Sequence, residues 1–201
     1  MSPPGELPTI PLRLLESLGI PVAPWALAEA PGYAHPLAYP VAVKRLETHK
    51  TERGGVVLGV ATREEFEEAV KKLGSRQVLV QAMQSGLAEA IVGYRDDPVV
   101  GPVVLVGAGG VMTEIYRDYA LRMAPVSETE AEEMIEQVKG FAALRGYRNL
   151  PRGDVKALAQ VVSALSKLAG SRALEAEINP LLVKADGVVA VDALLVLREA
   201  A

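Results

Sequence analysis

A cationic loop that contains glycine is the first stretch of the chain whose residue types could do chemistry. It begins at Lys44, continues through His49, Lys50 and Arg53, and ends at Gly54 and Gly55. Glycines let backbone N–H groups approach an anion closely, and lysine adds a compact positive charge. The pattern is typical of a phosphate-binding loop, although solvated hairpin loops commonly contain the same residues.

A hairpin near the C-terminus holds a second candidate site. We expect Asp186 and Gly187 to form a two-residue turn between two apolar strands. In that register Asn179 and Asp192 are diagonal neighbours on one face, and Glu177 shares the face because side chains alternate along a strand. These three oxygen-bearing side chains could therefore bind one ligand.

The same register puts apolar residues, Leu181 and Val183 among them, on the face that carries the polar side chains. Polar groups on an apolar surface are costly to bury unless a ligand satisfies them, and oxygen ligands suit Mg²⁺. Equally, this end of the hairpin could simply meet water. A one-residue change in the turn would send Asn179 and Asp192 to opposite faces.

Composition excludes several classes of protein and site. The 21 lysines and arginines against 25 aspartates and glutamates, a net charge of −4, argue against nucleic-acid binding. With no cysteine and two histidines, disulfides, thiolate catalysis and multi-histidine zinc sites are excluded. No apolar run is long enough for a membrane span and no signal peptide is evident, so we expect a soluble, cytoplasmic protein.

Capping boxes, apolar periodicity and short β-branched runs predict the elements that position these residues. Their mixed order indicates an α+β fold, with loops at Ala30–Tyr39 and Phe141–Gly153. The predicted helices are Leu12–Leu18, one from Thr62 to Gly74, one that begins at Ser127, and one from Asp154 to Ala169. The predicted strands are Val22–Ala28, Val41–Leu46, Val56–Ala61, Gln77–Met83, Glu89–Arg95, Val103–Val106, one within Ile115–Pro125, Ala173–Lys184 and Val188–Leu197.

The lysine-rooted glycine loop and the late E-x-N…D hairpin together resemble an ATP-grasp nucleotide-binding domain. Four segments narrow the resemblance, namely V-K-…-H-K-T-E-R-G-G-V-x-L-G, V-L-V-Q-A-M, A-E-A-I-V-G-Y-R-D-D-P-V-V-G-P-V-V-L-V-G-A-G-G and E-I-N-P-L-L-V. In this order they look like the β subunit of ADP-forming acyl-CoA synthetases of the acetate–CoA ligase type, relatives of succinyl-CoA synthetase β. The resemblance runs from about Tyr39 to Leu197.

The resemblance implies an ATP-grasp fold of two lobes, with mainly antiparallel sheets and a nucleotide cleft between them. We expect an N-terminal segment at residues 1–38, a first lobe at 39–84 and a second lobe at 85–201. It also implies that ATP or ADP is a substrate and Mg²⁺ a cofactor. Matched residue by residue, Lys44 would contact phosphate, Arg53, Gly54 and Gly55 would cover the phosphates, Gln81 and Gln84 would lie beside adenosine, Glu89 would contact the ribose, and Asn179 and Asp192 would hold Mg²⁺.

Two further residues match positions that handle the phosphoryl group in the family. Glu177 would orient a phosphohistidine from a partner α subunit, and His49 would pass the phosphoryl group to ADP. Neutral imidazole is a good nucleophile near pH 7, and its phosphoramidate readily returns the phosphoryl group. His35, in a proline-rich loop, is expected to be structural.

The implied reaction converts acyl-CoA, ADP and phosphate reversibly into the free acid, CoA and ATP. The CoA site and the primary phosphohistidine would belong to the α subunit, so we expect a hetero-oligomer. A shortened segment before Tyr39 keeps open a non-catalytic, nucleotide-binding regulatory subunit. An ATP-grasp carboxylate–amine ligase needs an acceptor domain, for which this chain has no room. Three more residues match family positions, namely Glu114, Asp118 and Arg122. They could form a packed ion network or act in catalysis, and the sequence leaves both roles open.

Overall fold

The computed structural model describes residues 10–30, 32–46, 55–109, 117–146, 148 and 151–199. Its helices are α1 (Ile10–Ser17), α2 (Arg63–Leu73), α3 (Glu128–Gln137), α4 (Val155–Ser166) and a 3₁₀ helix at Lys139–Arg145. Its strands are β1 (Trp25–Glu29), β2 (Val41–Arg45), β3 (Val56–Val60), β4 (Gln77–Ala82), β5 (Ala88–Asp97), β6 (Gly101–Ala108), β7 (Tyr119–Met123), β8 (Ala173–Val183), β9 (Val188–Ala190) and β10 (Ala193–Leu197).

The first of two compact units contains Ala23–Gln84. Its strands form an antiparallel sheet in the order β1-β4-β2-β3, and α2 packs on one face. Side chains alternate along the strands, so Val41, Val43, Val78 and Val80 all point toward α2 and form a core with Phe66. The opposite face of the sheet is therefore available to other residues of this unit.

The second unit joins Pro11–Val22 to the chain from Ser85 onward. Its antiparallel sheet has the order β10-β8-β5-β6-β7, and β9 pairs with β8. α4 packs against α3, β5 and β6. Ala90, Val92 and Tyr94 of β5 are buried, whereas Glu89 and Arg95 are exposed. One face of this sheet is thus the core face, and the other carries polar groups.

The expected N-terminal segment at residues 1–38 is divided between the two units. Pro11–Val22, which contains most of α1, belongs to the second unit, and Val22 bridges to Ala190. β1 instead belongs to the first unit, where its whole length pairs with Gln77 to Gln81 of β4. The sequence pattern indicated both elements but carried no signal for their partners.

Helix caps explain where the helices begin. The Ser127 side chain accepts a hydrogen bond from Glu130 N and the Glu130 carboxylate accepts one from Ser127 N, which is a complete capping box. At α2 the Thr62 side chain accepts from Glu65 N, but the Glu65 carboxylate accepts from Ala61 N instead. Each predicted cap is therefore the observed start of its helix.

Several predicted boundaries were wrong. The strand predicted at Val22–Ala28 is β1, which begins at Trp25, and Val188–Leu197 forms two strands, β9 and β10. Two further differences have a clear physical cause. Phe141–Gly153, predicted as loop, begins with the 3₁₀ helix, whose Phe141 and Leu144 are buried three residues apart, the period of a 3₁₀ turn. α4 ends at Ser166 rather than Ala169, because i→i+3 hydrogen bonds replace α-helical ones from there onward. Among the described helices, none combines the length and apolar character that crossing a bilayer requires.

His35 is a packed residue of the first unit. Its ring lies 4.7 Å from that of Phe66 and 5.3 Å from that of Tyr39, measured between centroids. Burial lowers the pKa of His35 below its ordinary value of 6.5, and the charge of Arg63 lowers it further, against a backbone hydrogen bond at Leu37. The folded unit therefore favours the neutral imidazole.

We expect the first unit to lose stability as the pH falls. A lowered folded-state pKa gives a contribution that is complete above the unfolded-state pKa and is lost as the pH falls through the folded-state value. Urea unfolding followed by the fluorescence of Trp25, the single tryptophan, should give a lower midpoint at about pH 5 than at about pH 7.5. In His35→Phe, which keeps an aromatic ring, the difference should shrink. An equal difference in both proteins would contradict this role.

Candidate functional site

The structure places the root of the cationic loop on the sheet of the first unit. Lys44 is a half-buried residue of β2, opposite Leu79 of β4 and Val56 of β3. Gly55 lies just before β3, and its carbonyl oxygen accepts a 2.8 Å hydrogen bond from Arg45 N. Within the predicted site, His49, Arg53 and Gly54 lie outside the described residues, as does Lys50.

Gln81 is the most unusual polar residue of the first unit. It lies in β4 with 0% of its surface exposed, and neither its Oε1 nor its Nε2 has a hydrogen-bond partner among the described residues. A buried amide without partners is destabilising by about 1–3 kcal/mol. The unpartnered amide therefore lowers the stability of the ligand-free unit, at a position that the resemblance assigned to adenosine contact.

Gln84 and Glu89 follow β4 along the chain. Gln84 is half-buried at the end of the first unit, and Glu89 is exposed near the start of β5. Gly109 N donates a 2.6 Å hydrogen bond to Glu89 O, and a Cβ at Gly109 would lie 2.7 Å from the Glu89 Cβ. Only glycine fits at position 109. The G-A-G-G run in the sequence contains this residue, but its close packing against Glu89 was not predicted.

The register of the C-terminal hairpin differs from the prediction. Val183 pairs with Val188, and Lys184 N donates to Gly187 O at 2.9 Å, so the two central turn residues are Ala185 and Asp186 rather than Asp186 and Gly187. Every pairing consequently moves by two residues. Asn179 and Asp192 now lie directly opposite each other, with a 3.2 Å hydrogen bond from Asn179 N to Asp192 O.

A β-bulge in β8 corrects the predicted face as well. Ile178 pairs with Val92 and Leu181 pairs with Ala90, so Asn179 and the following proline share one position of β5. Ile178 and Leu181 are both fully buried, although strict alternation would send them to opposite faces. The prediction that Leu181 and Val183 share a face with Glu177 and Asn179 is therefore wrong.

The three predicted oxygen-bearing side chains of the hairpin remain close together. Asn179 Nδ2 donates to Glu177 Oε1 at 3.3 Å, and Asp192 Oδ1 accepts from Ala193 N at 3.0 Å. Asn179 and Asp192 are exposed, and Glu177 is half-buried. A carboxylate and an amide at directly paired positions suit a hard cation with further ligands from a substrate. Among the described residues, no three histidines, aspartates or glutamates converge into a cation cage.

Asp118 and Arg122 have structural partners. The Asp118 carboxylate accepts hydrogen bonds from Lys139 N at 3.0 Å and Gly140 N at 2.6 Å, which caps the 3₁₀ helix. Arg122 forms a 3.0 Å salt bridge with Glu133 of α3. Of the two hypotheses for this group, these contacts favour packing over catalysis. Glu114 lies outside the described residues.

Comparison with known proteins agrees with this architecture. A family model described as an ATP-grasp domain matches residues 11–197. The β subunit of acetate–CoA ligase [ADP-forming] I from Pyrococcus furiosus is 31% identical, over 92% of this chain and 88% of its own length. The chain belongs to the ATP-grasp family of these β subunits. The α+β ATP-grasp fold expected from the motifs is thereby confirmed.

Two further relatives differ in how much of their own length this chain spans. Acetate–CoA ligase [ADP-forming] I from Archaeoglobus fulgidus is 37% identical over 94% of this chain, but the chain spans only 30% of that relative. A dinucleotide-forming acetyl-coenzyme A synthetase 1 from Ca. Korarchaeum cryptofilum superposes with a TM-score of 0.85 at 30% identity, over 96% of this chain and 92% of the compared one. That structure contains coenzyme A and Mg-AMPPCP, and its phosphohistidine segment points towards the nucleotide-binding site.

Replacement of Gln81 should stabilise this ATP-grasp chain in the absence of ligand. Gln81→Met keeps the length of the side chain and removes the unpartnered amide, so the free energy of unfolding should rise by about 1–2 kcal/mol. Gln77→Leu is the matched control on β4, because Gln77 already donates a hydrogen bond to Glu29. Denaturant unfolding without nucleotide measures both variants. A destabilised Gln81→Met, or an equal gain in Gln77→Leu, would contradict the cost assigned to the buried amide.

Proposed function

We propose that this chain is the nucleotide-binding, β-type part of an ADP-forming acyl-CoA synthetase. It transfers a phosphoryl group between a phosphohistidine and ADP or ATP, in the cytoplasm. An α partner supplies the CoA site and that phosphohistidine, and the two form a hetero-oligomer. Family membership supports this proposal, together with separate β subunits of nearly the same length in P. furiosus.

The observation that carries the proposal is the direct pairing of Asn179 with Asp192 beside Glu177. An amide oxygen and a carboxylate at paired positions give a divalent cation two protein ligands, which leaves its other positions for phosphate oxygens and water. Mg²⁺ bound there would offset the negative charge of the phosphates. Glu177, in contact with Asn179, is placed to orient an incoming imidazole by accepting its N–H.

The first unit supplies the nucleotide contacts in this proposal. Lys44 binds a phosphate oxygen as a fixed cation, and the Arg53, Gly54 and Gly55 loop covers the phosphates with backbone N–H groups. Gln81 and Gln84 hold the adenosine, and Glu89 contacts the ribose. The buried amide of Gln81 supports the assignment, because bound nucleoside would satisfy it.

His49 completes the phosphoryl path. Its neutral imidazole attacks the phosphorus of the partner's phosphohistidine, whose P–N bond breaks as the new P–N bond forms. ADP then takes the phosphoryl group from His49 to give ATP. The phosphohistidine segment of the K. cryptofilum protein, which points towards its nucleotide site, supports delivery of the group from a partner segment.

A regulatory, non-catalytic subunit is the competing function. The observation that favours it is the lack of any helix or strand in described residues 32–39, before β2, in the segment that the resemblance marks as shortened. Both functions include nucleotide binding, so only the formation of ATP distinguishes them.

Reconstitution separates them. We expect the chain, mixed with a candidate α partner, to form ATP from acetyl-CoA, ADP, phosphate and Mg²⁺. The rate should fall about 100-fold or more in His49→Ala, which removes the nucleophile that carries the phosphoryl group. It should fall similarly in Asn179→Ala, which removes a ligand of the Mg²⁺ that offsets the phosphate charge. A luciferase assay for ATP measures the rate.

The matched control is Asp186→Asn, which removes a carboxylate from the exposed turn of the same hairpin and should leave the rate unchanged. Equal rates in His49→Ala, Asn179→Ala and the unmodified chain would contradict the site. Nucleotide binding without turnover, together with the α partner, would favour the regulatory function.

A further inference from the structure

Gln81 is the centre of a row of three side chains that crosses the sheet of the first unit. It pairs with Trp25 of β1 on one side and with Ala42 of β2 on the other. Residues directly opposite each other in antiparallel strands project from the same face, with Cβ atoms about 4.5–5.5 Å apart. Any ligand that satisfies the Gln81 amide must therefore lie within reach of Trp25.

The row lies on the face of the sheet opposite α2. Val78 and Val80, the neighbours of Leu79 and Gln81 in β4, pack in the α2 core, so Leu79 and Gln81 point the other way. Leu79 pairs with Lys44, which places the phosphate-binding lysine on the Gln81 face, one two-residue step along the strand. Gln81 and Trp25, which could contact a base, thus lie on the same face as Lys44, which could contact a phosphate.

Trp25 is well placed to form an aromatic wall at one end of this surface. It is half-buried, and the hydrogen bond from Ala82 N to Pro24 O, 2.8 Å long, holds the start of β1 against the end of β4. An indole ring offers a broad apolar face to a flat heterocycle. The unpartnered amide of Gln81 beside it offers one donor group and one acceptor.

We propose that Trp25 packs against the purine base of the nucleotide and contributes to the affinity of the site for nucleotide. The inference rests on the proposed function, since it takes ATP or ADP as the ligand. The amide of Gln81 hydrogen-bonds the nucleoside, the indole of Trp25 covers the base, and Lys44 binds phosphate.

The single tryptophan makes a direct test available, because all tryptophan emission comes from Trp25. Titration of the chain with ADP and Mg²⁺ should change this emission saturably, with the same dissociation constant that calorimetry gives. Calorimetric ADP binding with no change in emission would overturn the role of Trp25 and leave the proposed function intact. Absence of ADP binding by the chain and by its complex with the α partner would overturn both.

Two variants of Trp25 and a base-free ligand identify the part of the nucleotide that is contacted. Trp25→Leu should weaken ADP binding about tenfold and leave pyrophosphate binding unchanged, whereas Trp25→Phe should stay within about threefold of the wild type. Glu29→Ala, at the other end of β1, should bind ADP normally. Unchanged ADP affinity in Trp25→Leu, or an equal loss for ADP and pyrophosphate, would overturn the proposal. Thermal unfolding of each variant confirms that it is folded, and if Trp25→Leu is not folded, the emission titration of the unmodified chain decides the proposal.

Discussion

The β-bulge at Asn179 in β8 is the constraint on which the second unit depends. β8 pairs with both β5 and β10, so it must bury Ile178 and Leu181 on the core side of the sheet. The extra residue allows both side chains to be buried while Glu177 and Asn179 stay on the other face. A regular strand could not separate apolar from oxygen-bearing residues at this spacing. Bulges next to functional sites commonly re-aim side chains in this way.

The first unit shows the complementary arrangement, in which a polar group is held where it lacks a partner. Stability alone would favour an apolar residue at Gln81, since the fully buried amide has no hydrogen-bond partner among the described residues. In the proposed nucleotide complex, a bound nucleoside would supply those partners and reverse the balance. The two candidate sites would then differ in their preparation for a ligand. Asn179 and Asp192 are already paired in the hairpin, whereas Gln81 of β4 would gain its partners from the ligand.

Much of this architecture was predictable from the chain, because the signals were local. Thr62 and Ser127 cap their helices through contacts within four residues, which a sequence pattern records directly. The register of the last hairpin depended instead on which two residues form its turn, and the faces of its side chains depended on a bulge in the pairing with β5. Likewise Asp118 caps a 3₁₀ helix 21 residues away. Such long-range partners leave no periodicity in the chain, so the sequence pattern placed Glu177, Asn179 and Asp192 in one hairpin but did not predict their observed geometry.

The most direct test of the account is to locate a bound divalent cation on the second unit. Mn²⁺, added with ADP in place of Mg²⁺, broadens NMR signals steeply with proximity. The account predicts that the side-chain amide of Asn179 and the backbone amide of Ala193, which donates to Asp192, lose intensity first. The amides of Val99 and Val100, at the exposed turn between β5 and β6, should keep theirs. Broadening that spares Asn179 and Ala193 while ADP and Mn²⁺ are bound would contradict the hairpin as the metal site.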